Sequence, residues 1–258
     1  MAFCYDFGNG TTKDEAKAVR YYQTAIKAAR PVSMLNLGIS YEYGQGGLPT
    51  DKRRAAELYR QAADLGNAHA QCNLGYCYEY GIGVAADARK AFEWYSTSAK
   101  QGWARAQLNL GLCYEFGKGV DKDVRRAVEY YRLAAEQGNA AAQCNLGYCY
   151  EAGIGVDKSY DRAVEWYRKS ADQGWPRACG CLGKCYEEGW GVRQDYNKAI
   201  ELLRKGADGG NSYSMAELGY LYETGRGVSK NISTAIEWYR KAAELGNDYA
   251  KKRLKALK

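Results

Sequence analysis

Leu74-Gly75-Tyr76-Cys77-Tyr78-Glu79-Tyr80-Gly81 is the stretch that decides how this chain folds, because it returns down the sequence. Its second residue recurs as Gly38, Gly75, Gly111, Gly147, Gly183 and Gly219, so every step is 36 residues except a first step of 37. A fixed period of this length belongs to stacked copies of one supersecondary unit, whose core grows with each copy added. A chain of 258 residues therefore need not divide into two globules. The same observation turns the functional question from a deep single pocket toward an extended surface.

Working outward from residues 67 to 102 gives the unit. Asn67 follows a glycine and caps a helix through Ala70, Leu74 and Tyr78, with apolar and small residues at three- and four-residue spacing. Gly81 ends this helix A by taking a left-handed conformation. After the loop Gly81-Ile82-Gly83-Val84, Asp87 caps a helix B that carries Ala91, Trp94, Tyr95 and Ala99 and is closed by Gly102. The capping column Asp14, Asp51, Asp87, Asp123, Ser159, Asp195 and Asn231 repeats in register, and every member is a good N-cap. Ala18, Ala55, Ala91, Ala127, Ala163, Ala199 and Ala235 let helices approach, and Tyr22, Tyr59, Tyr95, Tyr131, Tyr167 and Tyr239 fill the space beside them, with Leu203 replacing the tyrosine once.

Two edges depart from the pattern. Cys4-Tyr5-Asp6-Phe7-Gly8 matches Cys77 to Gly81, which makes residues 1–30 a truncated first unit. Asn247 to Lys258 matches helix A, with Tyr249, Ala250 and Leu254 apolar, and is expected as a capping helix. The longer first step comes from an extra residue in Gly44-Gln45-Gly46-Gly47-Leu48-Pro49.

Composition agrees with an all-α chain: 24 tyrosines stand against 4 phenylalanines and 3 prolines. No apolar run is long enough to span a bilayer and no charged-then-apolar leader is present, so neither membrane insertion nor export is expected. The net charge of +7 is concentrated in Lys251, Lys252, Arg253, Lys255 and Lys258, which reads as a solubilising end cap and not as a nucleic-acid footprint.

The unit Ala70-Gln71-Cys72-Asn73-Leu74-Gly75-Tyr76-Cys77-Tyr78-Glu79-Tyr80-Gly81-Ile82-Gly83-Val84, followed by Ala91-Phe92-Glu93-Trp94-Tyr95 and Ala99, resembles a Sel1-like repeat, a relative of the tetratricopeptide repeat. The resemblance covers residues 1–258 as a single solenoid. It implies a right-handed α-α superhelix of about seven helix-turn-helix repeats, with A helices lining a concave face, that serves as an adaptor for protein partners. It implies no chemistry. Some cysteine-rich secreted relatives carry cysteine pairs eight residues apart that link one helix B to the next helix A. Here those positions hold Ala171 with Cys179, and Ala63 with Gln71, so the pairing is absent, and free thiols in a reducing, cytoplasmic compartment are expected.

The constellations that carry chemistry elsewhere read blandly here. Gly117-Lys118-Gly119 and Gly225-Arg226-Gly227 follow a helix in every unit and lack the strand and Gly-Lys-Ser/Thr of a phosphate loop, so helix termination explains them. Of nine cysteines, Cys4, Cys77, Cys113, Cys149 and Cys185 share a packing column, while Cys179, Cys181 and Cys185 lack partners at zinc spacing; no metal and no cofactor are expected. A single histidine, His69, and carboxylates in surface columns argue against an enzyme. β-Lactamase-like hydrolase activity, ascribed to cysteine-rich relatives, finds no Ser-x-x-Lys nucleophile, and a cell-envelope or glycan-binding module is the other alternative.

What remains is the groove. One residue before the repeated leucine stand Asn36, Asn73, Asn109 and Asn145, then Cys181 and Glu217. A ladder of amides can pair with the backbone of an extended peptide, or equally can bond neighbouring helices and fix their spacing. Tyr76, Tyr148 and Tyr220 lie one turn on, and His69, Arg105 and Arg177 near the helix starts, as candidate anchors for a bound segment. A further column, Asp6, Glu42, Glu79, Glu115, Glu151, Glu187 and Glu223, sits in the last turn of each A helix, where negative charge opposes the macrodipole. Backbone N–H groups of the glycine loop, or a Lys or Arg of the adjacent unit, are the expected compensation. The sequence thus predicts a non-enzymatic protein–protein interaction scaffold with a protein or peptide partner, and leaves its oligomeric state open.

Overall fold

The computed structural model describes Tyr5, Gly8, residues 12–26 and residues 28–257. Cys4 and Asp6 of the cysteine and acidic columns, and Lys258 of the basic end, lie outside the described residues. Among those described there are fourteen helices and no strand. The chain divides into two compact units, Met1–Tyr130 and Tyr131–Lys258.

In unit one, α1 (Glu15–Ile26), α3 (Lys52–Asp64) and α5 (Ala88–Lys100) are B helices, and α2 (Pro31–Tyr43), α4 (Ala68–Tyr80) and α6 (Ala104–Phe116) are A helices. Helix α7 (Val124–Glu136) is a B helix and carries the unit boundary. In unit two, α8 (Ala140–Ala152), α10 (Pro176–Glu188) and α12 (Ser212–Thr224) are A helices; α9 (Tyr160–Asp172), α11 (Tyr196–Asp208) and α13 (Ile232–Glu244) are B helices; α14 (Asp248–Ala256) opens a further A helix. Within each unit the helices pack chiefly on their neighbours in sequence.

The predicted register holds. Each member of the capping column accepts the backbone N–H three residues on: Asp14 from Lys17, Asp51 from Arg54, Asp87 from Lys90, Asp123 from Arg126, Ser159 from Arg162, Asp195 from Lys198 and Asn231 from Thr234. Gly81 ends α4 at φ 68°.

The repeated Leu-Gly pair makes the core. Tyr59 and Tyr95 in unit one, and Tyr167 and Tyr239 in unit two, are fully buried. Each ring lies across the glycine of its own hairpin: a methyl group on Gly75 would stand 2.8 Å from Tyr95, and one on Gly147 2.7 Å from Tyr167. That glycine is there because the ring occupies the place of its side chain. Burial of each such aromatic contributes about 1.5–3 kcal/mol.

Neighbouring repeats are joined by side-chain hydrogen bonds to backbone carbonyls. Where the resemblance would put a disulfide, Gln71 Nε2 donates to the Ala63 carbonyl at 3.1 Å, and Gln143 Nε2 to Ala135 at 3.0 Å. Within a repeat, Ser98 and Ser170, both fully buried, tie helix B to helix A by donating to the Ala68 and Ala140 carbonyls at 2.7 Å. Cys72, Cys77, Cys113, Cys144, Cys179, Cys181 and Cys185 are free thiols.

The second loop glycine does more than turn the chain. Gly119 has φ +70°, and a methyl group added there would stand 2.1 Å from the Ala88 carbonyl at the start of α5. Gly119→Ala is therefore expected to lose about 1–2 kcal/mol from left-handed backbone strain alone, and more from the clash. Gly102→Ala, which shares the positive φ but meets no atom within 4 Å, is its control. Urea midpoints of the two variants separate strain from clash.

Candidate binding surface

The floor of the surface is set by the acidic column. Tyr59 Oη donates to Glu42 at 2.5 Å, Tyr95 to Glu79 at 2.8 Å, Tyr167 to Glu151 at 2.6 Å and Tyr239 to Glu223 at 2.7 Å. Burial, together with the Glu79 carboxylate, pushes the Tyr95 hydroxyl far above the usual phenol range, so it stays a donor. The expected cation of the adjacent unit is also present. Lys118 Nζ lies 2.8 Å from the other Glu79 oxygen, and the Glu79 hydrogen bond holds that ammonium above its ordinary range. Arg253 bonds Glu223 in the same manner. The cation of the Gly-Lys-Gly loop thus faces a carboxylate of the preceding repeat.

One repeat builds this differently. Leu203 stands where the tyrosine should be, and a methyl group on Gly183 would meet it at 2.9 Å. The corresponding carboxylate, Glu187, is fully buried and receives Lys184 Nζ at 3.1 Å and Arg226 Nη1 at 3.5 Å instead. Lys184 also contacts Glu188 at 3.1 Å and Glu217 at 3.0 Å. Burial raises the Glu187 carboxyl and Lys184 opposes that rise. Burial works against the Lys184 charge, yet the carboxylates of Glu217 and Glu187 hold it above its ordinary range.

Unit one presents a cavity of about 480 Å³ lined by Ile39, Glu42, Tyr43, Lys52, His69, Asn73, Tyr76, Ile82 and Arg105. Four of the sequence-predicted residues, His69, Asn73, Tyr76 and Arg105, come together here. The Arg105 guanidinium sits 5.6 Å from the Tyr76 ring centroid, and His69 stacks on Trp103 at 4.8 Å. Burial, then Arg105, lowers the His69 pKa, leaving Arg105 and Lys52 as the cavity's cations. Glu42 is already engaged by Tyr59.

Unit two has a cavity of about 360 Å³ lined by Tyr148, Glu151, Arg177, Cys181, Lys184, Asn211 and Tyr213. Glu151, Arg177, Cys181, Lys184 and Tyr213 occupy the repeat positions of Glu42, His69, Asn73, Tyr76 and Arg105, three units further on. The fold has made the same hollow twice with different linings. Tyr148 and Arg177 are brought together, the guanidinium 5.7 Å from the ring centroid. Tyr220 lies outside this cavity, under Lys184 at 5.7 Å and Arg226 at 5.5 Å.

The asparagine ladder divides. Asn36 donates to Tyr22 Oη at 2.9 Å, Asn109 contacts Cys72 Sγ at 3.8 Å, and Asn145 accepts from Arg177 at 3.1 Å. These three bond neighbouring helices, whereas Asn73 lines the unit-one cavity. Reading the sequence missed an aromatic stripe beside it: Tyr43, Tyr80 and Phe116 are 66%, 57% and 62% exposed. The signal lay in the residue before each left-handed glycine, which is aromatic in all three repeats.

The chain matches the Sel1 repeat family at residues 1–29, 31–67, 68–103, 104–139, 140–175, 177–211 and 212–247. Among solved structures, it is 36% identical to a protective antigen of uropathogenic Escherichia coli strains displaying an SLR fold, over 99% of this chain and 55% of that one, with a TM-score of 0.81. The chain thus spans about half the length of that relative. It is 30% identical to a Sel1 repeat protein from Oxalobacter formigenes, over 93% and 96% of the two chains, with a TM-score of 0.84. The APC/C hetero-tetramer Cut9–Hcn1 shares the fold at 15% identity, over 99% of this chain and 47% of that one, with a TM-score of 0.64. No curated protein matches the chain.

Proposed function

Because the chain belongs to the Sel1 repeat family, we propose that it is a protein-interaction scaffold that holds an extended, acidic segment of a protein partner along its A helices. Sel1 and tetratricopeptide-like neighbours support the scaffold. The observation that carries the finer reading is the unit-one cavity, where Arg105, Lys52, Tyr76 and Asn73 line one hollow together with the exposed Tyr43. Arg105, already oriented over Tyr76, gives a partner carboxylate a paired guanidinium. Asn73 supplies a donor and an acceptor to its backbone, and Tyr43, Tyr80 and Phe116 offer contact area at low entropic cost. In unit two, Tyr148 and Arg177 form the equivalent pair, and Lys184 is held by carboxylates. No described helix is long and apolar enough to cross a membrane.

The test is selection from a displayed peptide library on the native protein, followed by affinity measurement. Arg105→Ala and Tyr76→Ala are each expected to weaken selected peptides about tenfold or more. Asn36→Ala, which touches the intramolecular part of the ladder, should leave affinity unchanged. Peptides without acidic residues, or indifferent to Arg105→Ala in a folded variant, would overturn the reading.

A further inference from the structure

One residue of the ladder is not an amide. Cys181 takes the place that Asn36, Asn73, Asn109 and Asn145 hold in earlier repeats. The structure shows what faces that place: Asn109 Nδ2 lies 3.8 Å from Cys72 Sγ on the preceding A helix. Two repeats further on, the counterpart of Cys72 is Cys144 and the counterpart of Asn109 is Cys181. Exchanging amide for thiol at the second position therefore sets sulfur against sulfur between α8 and α10. Both cysteines are free thiols.

The two differ in access. Cys144 is fully buried, whereas Cys181 is half-buried and lines the unit-two cavity beside Arg177. They differ in acidity for the same reason that they touch. A hydrogen bond from Cys144 favours the Cys181 thiolate and, with help from Arg177, draws it below the usual thiol range against the pull of burial. The same bond, then burial, pushes Cys144 up. Cys72, Cys77, Cys113 and Cys185 are buried, with their thiols pushed up to about 12 chiefly by desolvation. A reactive cysteine combines thiolate character with access, and Cys181 alone among these has both.

We propose that Cys144 and Cys181 form a redox-active pair, in which Cys181 is a modification site for small disulfides and closes onto Cys144 as an intramolecular disulfide. The Cys181 thiolate attacks one sulfur of the reagent; the reagent's S–S bond breaks and one thiolate leaves, taking a proton from solvent. Cys144 then gives up its proton to solvent and attacks the Cys181 sulfur of the mixed disulfide, expelling the second thiol. The protein loses two protons and two electrons, and the small disulfide, taking up the same number of each, is reduced to two thiols. The product ties α8 to α10 under the cavity.

The folded protein is incubated with oxidised glutathione, its remaining thiols are alkylated in denaturant, and peptides are mapped by mass spectrometry. A cross-linked peptide pair containing Cys144 and Cys181 is expected, formed about tenfold or more faster than modification of any other cysteine. Cys181→Asn should abolish it and leave Cys144 open to alkylation. Asn109→Cys should create a second cross-link, from the introduced thiol to Cys72, which tests the geometry without touching the native pair. A stable glutathione adduct on Cys181 without the cross-link would overturn the proposal, as would equal oxidation of Cys179 or Cys77, or an Asn109→Cys variant that folds but does not link.

Discussion

Tyr95→Ala is expected to destabilise unit one by about 3–5 kcal/mol, because a fully buried aromatic leaves a cavity that the flanking helices cannot close. The ring also donates to Glu79, so the truncation leaves a partly buried carboxylate without its hydroxyl. Tyr95→Phe separates the two effects: it keeps the ring and loses only a hydrogen bond to a charged acceptor, at a cost of about 1.5–3 kcal/mol. Gly75 provides a cycle, since a methyl group there collides with the ring at 2.8 Å. Gly75→Ala should be costly in the native background and markedly less so once Tyr95 is alanine, when only the Ala91 carbonyl at 3.2 Å still crowds the methyl group. Urea unfolding followed by circular dichroism measures all four. A Tyr95→Phe variant as stable as the parent would show that the hydroxyl-to-carboxylate bond contributes nothing.

Lys184→Met is expected to cost a comparable amount, about 3–5 kcal/mol, for an electrostatic reason. Glu187 is fully buried, and with Lys184 gone only the Arg226 contact at 3.5 Å remains. The pH dependence has a definite sign. Burial already raises the Glu187 carboxyl and Lys184 opposes this, so the variant's folded-state pKa rises further above the ordinary 4.5. A raised carboxyl pKa means that the folded state holds the proton more tightly than the unfolded chain. Below pH 4.5 the carboxyl is neutral in both states, and the deficit due to charge should vanish. It should grow as pH climbs through the folded pKa. Leu203→Tyr, which restores the hydroxyl found in the other repeats, should recover part of the loss. A deficit unchanged between acid and neutral pH would show that lost packing, not the buried charge, is responsible.

These two sites also show how far the sequence could be read. The seven caps, the left-handed glycines and the packing columns were legible because each depends on one residue type at one place in a short-range rule. The glycine before Tyr76 was legible as a landmark but not as the seat of Tyr95, since that contact depends on how helix B crosses helix A. The same crossing joins Glu79 to Tyr95 across 16 residues, so the acidic column's main partner stayed hidden, while of its second only the type was anticipated, a Lys or Arg of the adjacent unit, and not its place in the loop. In the groove, the repeat register placed His69, Asn73, Tyr76 and Arg105 on one face. It could not tell an amide that lines a hollow from one bonded to a neighbouring helix, which is what separates Asn73 from Asn36, Asn109 and Asn145.

The loop glycines resting on the carbonyl of the helix below have a consequence for how such a molecule can diversify. Gly119 against Ala88, and Gly191 against Tyr160, are contacts of main chain with main chain. The pitch from one layer to the next is therefore gauged by atoms that every amino acid possesses. Outward-facing residues can be rewritten layer by layer without retuning the spacing, as the two dissimilar hollows of this chain already illustrate. A designer wishing to transplant one lining into another layer should leave those glycines untouched, keep the carboxylates that hold the core tyrosines and Lys184, and treat the remaining side chains that face the hollow as interchangeable lettering.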